Sequence, residues 1–295
     1  MALTCGKRCV KGSFLSLNVL LWLLGCVQIL VGVCIIVDTG KLHLYYSMVS
    51  DLASANSVTY IAYFISFVGA AALFIGLTGC CAVAKDNRCL LAGYFVSLLA
   101  MIASNLSVSI GAAFYRQHIL AGLRERLLKQ LNTQYGFPNE DLLQDVHVFS
   151  QAMDYAQYSF NCCGVVSDDD YSSTRWKNGS FISGPNVPGS CCVLADKHDI
   201  SMTRSPISAV SRVFRAAQEK PWQNPQPKNG KACQSNDLES HVNFRYKQGC
   251  FDHIEGWFKQ ESDFIVFLCL ISSFLQILGI IATILVCRDL HEEQT

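Results

Sequence analysis

Four stretches of the chain contain no Asp, Glu, Lys or Arg: residues 12–37, 52–84, 89–115 and 264–287. Each exceeds the roughly 20 apolar residues that cross a hydrocarbon core of about 30 Å. Membrane spans are therefore expected at residues 13–37, 58–84, 90–114 and 264–287. Lys7, Arg8 and Lys11 precede the first, as they would in a signal peptide. A cleavable apolar region is only about 7–15 residues long, however, so this one reads as an uncleaved helix. The charged fraction of 16% is the same feature averaged over the chain; a soluble domain has nearer ~25%. A formal net charge of zero supplies no overall attraction for polyanions, which excludes a general nucleic-acid binder.

Orientation follows from basic residues in the short segments. Lys7, Arg8 and Lys11 lie before span one, Lys85 and Arg88 between spans two and three, and Arg288 after span four, against Lys41 alone between spans one and two. The positive-inside rule places both termini in the cytoplasm. The expected plan is a cytoplasmic tail at 1–12, a small extracellular loop at 38–57, a cytoplasmic loop at 85–89, a large extracellular loop at 115–263 and a cytoplasmic tail at 288–295. The fold class is an all-α membrane protein: a four-transmembrane-helix bundle with a disulfide-stapled, mainly helical large extracellular loop between spans three and four.

The large loop holds Cys162, Cys163, Cys191, Cys192, Cys233 and Cys250. An even count outside the cell reads as three disulfides. Zinc ligands are usually spaced Cys-x2-4-Cys or joined by His, so adjacent cysteines fit a metal site poorly. Adjacent cysteines rarely bond each other, so Cys162 and Cys163 should reach different partners; spacing does not choose among the connectivities.

Leu142, Val146, Phe149, Met153, Ala156 and Phe160 form an apolar stripe at helical spacing, with Asn139 as a candidate N-cap after Pro138. Leu120, Leu123, Leu127 and Leu131 repeat the pattern as a continuation of span three, and Phe251, Ile254 and Phe258 lead into span four. Residues 193–249 are loop-rich, with Pro206, Pro221, Pro225, Pro227 and Gly230, one short helical candidate at 207–217, and Cys233 as an anchor. Loops on a rigid scaffold are where recognition residues sit, so this is the candidate partner-binding region. Over 115–263 there are 16 basic and 17 acidic residues, which favours recognition by shape over gross charge. Asn178-Gly179-Ser180 is a glycosylation sequon, whereas Asn105-Leu106-Ser107 lies within a span.

Small or polar residues recur every seven positions in three spans: Asn18, Gly25 and Gly32; Ala62, Gly69 and Gly76; Gly93, Ala100 and Ser107. Such faces let helices approach closely, and the period of seven implies a left-handed bundle. Asn18, Gln28, Asn105 and Gln276 are intramembrane polar groups expected to hydrogen-bond across helices. The deep parts of the spans contain no ionisable Asp, Glu, Lys, Arg or His, which argues against a pump. Cys5, Cys9, Cys80, Cys81, Cys89 and Cys287 sit at the cytoplasmic face, where disulfides are rare and S-palmitoylation is chemically accessible. Cys26, Cys34 and Cys269 lie within spans and read as packing residues.

Several of these elements together resemble the tetraspanin family over nearly the whole chain. They are Cys162-Cys163-Gly164, Asp170-Tyr171, Pro188-Gly189-Ser190-Cys191-Cys192 and Gly249-Cys250 in the large loop. Asn18, Trp22 and Gly25 in span one, and Gly79-Cys80-Cys81 through Asp86 to Cys89-Leu90-Leu91, add to them. The resemblance implies that Cys162 pairs with Cys250, and Cys163 with Cys191 or Cys192, the other of which takes Cys233. Six loop cysteines are unlike the subgroup that escorts a disintegrin metalloprotease. Asn105 stands where the family often has Glu, and Gln276 at the Glu or Gln position of span four, so a charged intramembrane switch is not implied.

The resemblance implies a non-enzymatic scaffold that binds integral membrane proteins laterally, among them adhesion receptors and other tetraspanins, and that associates with itself and with membrane lipid. Plasma membrane and endosomal membranes are the expected locations. No catalytic residue, metal or resident cofactor is expected, although the bundle could take up a sterol or lipid. The alternatives are a sterol- or lipid-binding membrane protein and a four-span channel or junction protein. Claudin-like proteins place their large cysteine-bearing loop between spans one and two, where this chain has a short segment without cysteine. His118, His147, His198, His241 and His253 are scattered through the large loop, and Asp168-Asp169-Asp170 reads as a solvated turn rather than a metal site.

Overall fold

The computed structural model describes residues 2–49, 57–85, 88–136, 143–179, 184–195 and 220–292; side chains at 2–10, 49, 57, 143–147, 179 and 289–292 lie outside the described set. Asn139, Leu142, Asp86, His198 and the helical candidate at 207–217 fall outside it, as do the side chains of Cys5, Cys9, Val146 and His147.

The described residues form helices α1 (Ala2–Val37), α2 (Thr39–Val49), α3 (Ser57–Ala84), α4 (Arg88–Leu120), α5 (Leu123–Gln134), α6 (Leu143–Phe160), α7 (Arg175–Gly179), α8 (Gly230–Cys233), α9 (Leu238–His241) and α10 (Phe251–Glu292). Four contain segments long and apolar enough to cross a membrane: Lys11–Val37, Val58–Ala84, Arg88–Leu120 and Phe251–Arg288. The protein is thus a multi-pass, all-α membrane protein. Extended backbone pairs only at isolated antiparallel bridges among the described residues, Ser167 with Gln248, Cys192 with Arg245 and Leu194 with Pro227.

The chain forms two compact units. The first comprises Met1–Val33, Ala62–Gln117 and Gln260–Thr295. Its largest buried cluster contains Phe14, Leu21, Leu91, Tyr94 and Leu98, with Ala82, Ala282 and Val286. Spans one and two meet through their small residues in antiparallel register. A Cβ on Gly25 would lie 2.8 Å from the Gly69 carbonyl oxygen, one on Gly32 would lie 2.8 Å from the Ala62 carbonyl oxygen, and one on Gly76 would lie 3.3 Å from the Asn18 carbonyl oxygen. In lipid, where apolar burial does not drive association, this backbone proximity supplies the dispersion contact. Span three departs from expectation. Gly93, Ala100 and Ser107 are exposed, and a Cβ on Gly93 would meet nothing within 4 Å. Span three packs instead through Leu91, Tyr94, Leu98, Met101 and Asn105. Bulky residues at helical spacing make that contact, and the small stripe faces away.

The second unit comprises Cys34–Ile61 and His118–Lys259. Its core gathers Leu123, Leu127 and Leu131 of α5, Phe149, Met153 and Ala156 of α6, and Ile254 and Phe258 of α10 around the disulfide cysteines. Leu120 to Leu131 do not continue span three as one helix. Gly122 adopts φ 72 and separates α4 from α5. A left-handed residue there costs glycine little, and the Arg126 guanidinium donates to the Ile119 and Ala121 carbonyls that the break leaves without helical partners. The segment between spans one and two contains α2, which apolar periodicity does not reveal. Leu44 and Met48, one turn apart and fully buried, join the same core, and α2 packs on α6.

Candidate functional site

The base of the large-loop site begins where α6 ends. Asn161 takes φ 56 and Gly164 φ 68, two reversals that bracket Cys162 and Cys163 and aim them into the core. At Gly164 the turn is so tight that a Cβ would overlap the Ser167 carbonyl oxygen. The Asp170 carboxylate organises this turn by accepting from the backbone N–H groups of Val165 at 2.8 Å, Val166 at 2.6 Å and Ser167 at 3.2 Å. The 248–251 segment lies across it: Cys163 N–H donates to the Gln248 carbonyl, Cys250 N–H to Gly164 and Phe251 N–H to Val165. Gly249 fits because a Cβ there would overlap the Val166 carbonyl. The Cys-Cys-Gly, Asp-Tyr and Gly-Cys motifs therefore form one local structure.

Disulfides join Cys162 to Cys250, Cys163 to Cys191 and Cys192 to Cys233, with Cα separations of 5.1, 4.9 and 5.7 Å. All six cysteines are buried. Consecutive cysteines of each doublet point to different partners, so residues 188–192 connect α6 on one side with α8 on the other. Within that segment Cys191 N–H donates to the Pro188 carbonyl and Cys192 N–H to Gly189, a single tight turn.

Two buried polar clusters brace this framework. In the first, the hydroxyls of Tyr135 and Ser190 lie 2.8 and 2.7 Å from Asp154 Oδ1, Ser190 also lies 2.7 Å from Gln157 Oε1, and the Gln157 amide donates to Tyr171. Tyr171, Tyr135 and Trp176 pack edge to face around it, with centroids 5.2–5.7 Å apart. Burial raises the Asp154 carboxyl to about 6, against the opposing pull of the Ser190 and Tyr135 hydrogen bonds. Burial, and then the charge of Asp154, push the Tyr171 and Tyr135 phenols well above their ordinary value.

The second cluster corrects the reading of Asp168-Asp169-Asp170 as a solvated turn. Asp169 is exposed, but Asp168 is buried and pairs with Lys247 at 2.9 Å and with Arg245 at 3.3 Å. Arg245 also donates to the carbonyls of Cys233 and Ser235 at 2.7 and 2.8 Å. His241 Nδ1 lies 2.8 Å from the Ser235 carbonyl, so this nitrogen carries the proton, and Nε2 accepts from Lys247. Sequence reading missed Arg245 and Lys247; their alternation along an extended segment was the available signal.

The part of the 193–249 region within the described residues is held by Val193 N–H to the Phe244 carbonyl, Lys228 N–H to Val193 and Tyr246 N–H to Cys191. At α9, Leu238 and Val242 are 64% and 51% exposed, an apolar pair one turn apart on an otherwise braced surface. Asn178 is exposed near the end of α7.

Within the spans, Asn105 donates to Ser272 at 3.2 Å and to Gln276 Oε1 at 3.3 Å, and Gln276 donates to Ser272 at 3.2 Å. Sequence reading missed Ser272, which lies one turn before Gln276 on the same face. Asn18 lies against the Tyr94 phenol of span three. Asn18 donates to the Phe14 carbonyl of its own helix at 2.9 Å and sits where Gly79 leaves room. Gln28 Oε1 meets no donor among the described residues. It lines a cavity of about 40 Å³ with Val31, Ile65, Val68, Asn105 and Leu268. Of the juxtamembrane thiols with described side chains, Cys81, Cys89 and Cys287 are exposed and Cys80 is half-buried.

A four-span helical membrane protein whose largest loop is tied into one unit by crossed disulfides is the class that this architecture defines. The chain belongs to the tetraspanin family: the family model described as Tetraspanin family matches residues 10–289. It is similar to the CD151 antigen of Chlorocebus aethiops, 30% identical over 189 residues covering 64% of this chain and 70% of that protein. It is also similar to the CD82 antigen of Homo sapiens, 28% identical over 296 residues and 98% and 97% of the two chains. Tetraspanin-18B of Danio rerio is 30% identical over 188 residues, 62% and 65% of the two chains.

Proposed function

We propose that this tetraspanin is a non-enzymatic membrane scaffold that binds partner membrane proteins laterally and gathers them into microdomains. Both termini are cytoplasmic and the large loop extracellular, with the plasma membrane as main location and endosomal membranes as a second. Partners are integral membrane proteins, including adhesion receptors and other tetraspanins, and self-association and membrane lipid contribute to clustering. The observation that carries this reading is the rigid rooting of a loop-rich segment. Residues 220–249 are tied by Cys192–Cys233 and the Asp168 ion pairs, yet leave Leu238 and Val242 open. An apolar pair on a braced loop is suited to recognition by shape.

Acyl chains on the juxtamembrane cysteines would strengthen lateral association, with Cys81, Cys89 and Cys287 the most accessible acceptors of those described. Asn178 would carry a glycan. Exchanging residues 193–249 for those of another tetraspanin tests the reading: proximity labelling should lose the native partner set and retain general tetraspanin neighbours. An unchanged set would overturn loop-directed recognition.

A sterol or lipid ligand is the second reading: Gln28 lines a cavity among the spans and its Oε1 meets no donor among the described residues, and since about 40 Å³ holds only a ligand's polar end, the spans would have to part to admit the rest. A hydroxyl donor would satisfy that atom. Photoactivatable sterol should then label the bundle, and Gln28→Leu should abolish the labelling; equal labelling of both would remove this reading.

A further inference from the structure

Asp154 brings a carboxylate into the interior of the large-loop unit without a cation to balance it. Its hydrogen-bonding neighbours are the hydroxyls of Tyr135 and Ser190, and among the described residues no Lys, Arg or His acts on it. The elements packed around α6 explain this. The end of α5 presents Tyr135, and the 168–173 turn presents Tyr171. Residues 188–192 present Ser190, and the 221–223 turn sets Trp222 against Tyr155. From α10, His253 stacks on Phe160 at the far end of the helix. α2 carries Lys41 and His43, but Lys41 acts on Asp38 instead. Asp154 as a whole residue is half-buried, but a carboxyl withdrawn from water that faces only neutral donors among the described residues is costly when ionised and cheap when protonated.

The position gives that cost a mechanical meaning. Ser190 is flanked by Gly189 and Cys191, at the centre of the turn that anchors two disulfides. Its single hydroxyl proton has two acceptors, Asp154 Oδ1 and Gln157 Oε1, each at 2.7 Å. An ionised Asp154 and Gln157 compete for that proton, and one contact is left without a hydrogen. A protonated Asp154 donates to the Ser190 oxygen while Ser190 donates to Gln157, and both contacts become hydrogen bonds. The contact between α6 and the root of the loop-rich segment therefore runs through a carboxyl whose charge is costly.

We propose that Asp154 is a proton-operated latch, its neutral form holding residues 188–192 on α6 more firmly than its charged form. The sign follows from the direction of the shift. The folded carboxyl titrates near 6, above its ordinary value of 3.8, so the folded loop binds more protons than the unfolded chain between those values. Stability is gained as pH falls through that window and lost as pH rises through it, with no further change above about 6. The loop is therefore firmer in mildly acidic surroundings than at neutral pH.

Hydrogen exchange on the full chain in lipid nanodiscs tests this, with intrinsic exchange rates corrected for pH. Segments 150–160 and 186–195 should be roughly tenfold better protected near pH 5 than near pH 7.5, the factor carried by about one pKa unit. Asp154→Asn supplies a neutral donor and acceptor in place of the carboxyl, and should be well protected at both pH values. Ser190→Ala removes the hydroxyl through which the neutral form holds residues 188–192, and should abolish the gain of protection in 186–195 at low pH. This second variant keeps the test decisive if the first does not fold. Equal wild-type protection at both pH values would overturn the proposal. So would an Asp154→Asn variant that keeps the wild-type pH dependence, which would assign the effect to another carboxylate such as Asp38.

Discussion

Gly25 and Gly69 face each other across spans one and two so closely that a Cβ on either would lie 2.8 Å from the other's carbonyl oxygen. Backbone meets backbone there, and a larger side chain can be admitted only by moving a helix. Gly25→Val or Gly69→Val should destabilise the bundle by about 1–3 kcal/mol, the usual cost of overpacking. Gly93→Ala should leave stability unchanged or slightly raised, because its Cβ enters open space and alanine favours the helix. Thermal unfolding in nanodiscs checks the contrast; equal losses from Gly25→Val and Gly93→Ala would contradict the observed packing.

That pair of glycines also shows what the sequence can and cannot reveal. The seven-residue spacing of small residues is the same in spans one, two and three, but only the first two stripes meet another helix among the described residues. Spacing records what a face could accept and not whether a neighbour is present. The apolar faces of α5 and α6 were legible because Leu123, Leu127, Phe149 and Met153 repeat at helical intervals and have one core to enter. α2 was not, since Leu44 and Met48 offer a single turn of periodicity. The Asp168 cluster was hidden for a different reason. Its carboxylate and Lys247 are 79 positions apart, and only the crossing of chain segments near the disulfides joins them.

The disulfides should differ in what they protect. Cys162–Cys250 spans a sequence separation of 88 and ties the end of α6 to the start of α10, whereas Cys192–Cys233 spans 41 and anchors α8. Cys162→Ser or Cys250→Ser should cost the large loop about 2–5 kcal/mol and cause retention in the secretory pathway. The double variant Cys192→Ser/Cys233→Ser should reach the surface at higher levels while losing hydrogen-exchange protection in residues 228–246. Surface biotinylation and exchange measurements separate the two effects. Normal surface levels of Cys162→Ser would show that this staple is dispensable.

Asp168 should be the most sensitive charge in the large loop. Its side chain is 5% exposed and that of Arg245 7%, whereas that of Lys247 is 38% exposed. Asp168→Asn removes the carboxylate that meets both cations and leaves the Arg245 guanidinium buried without it, a change that typically costs about 3–5 kcal/mol. Lys247→Met leaves Asp168 paired with Arg245 and removes only a partly solvated partner, so a loss of about 1 kcal/mol or less is expected. Thermal unfolding of the two variants and their double mutant measures the difference. If Lys247→Met cost as much as Asp168→Asn, the buried Asp168–Arg245 pair would not be what holds residues 233–245 against the 168–173 turn.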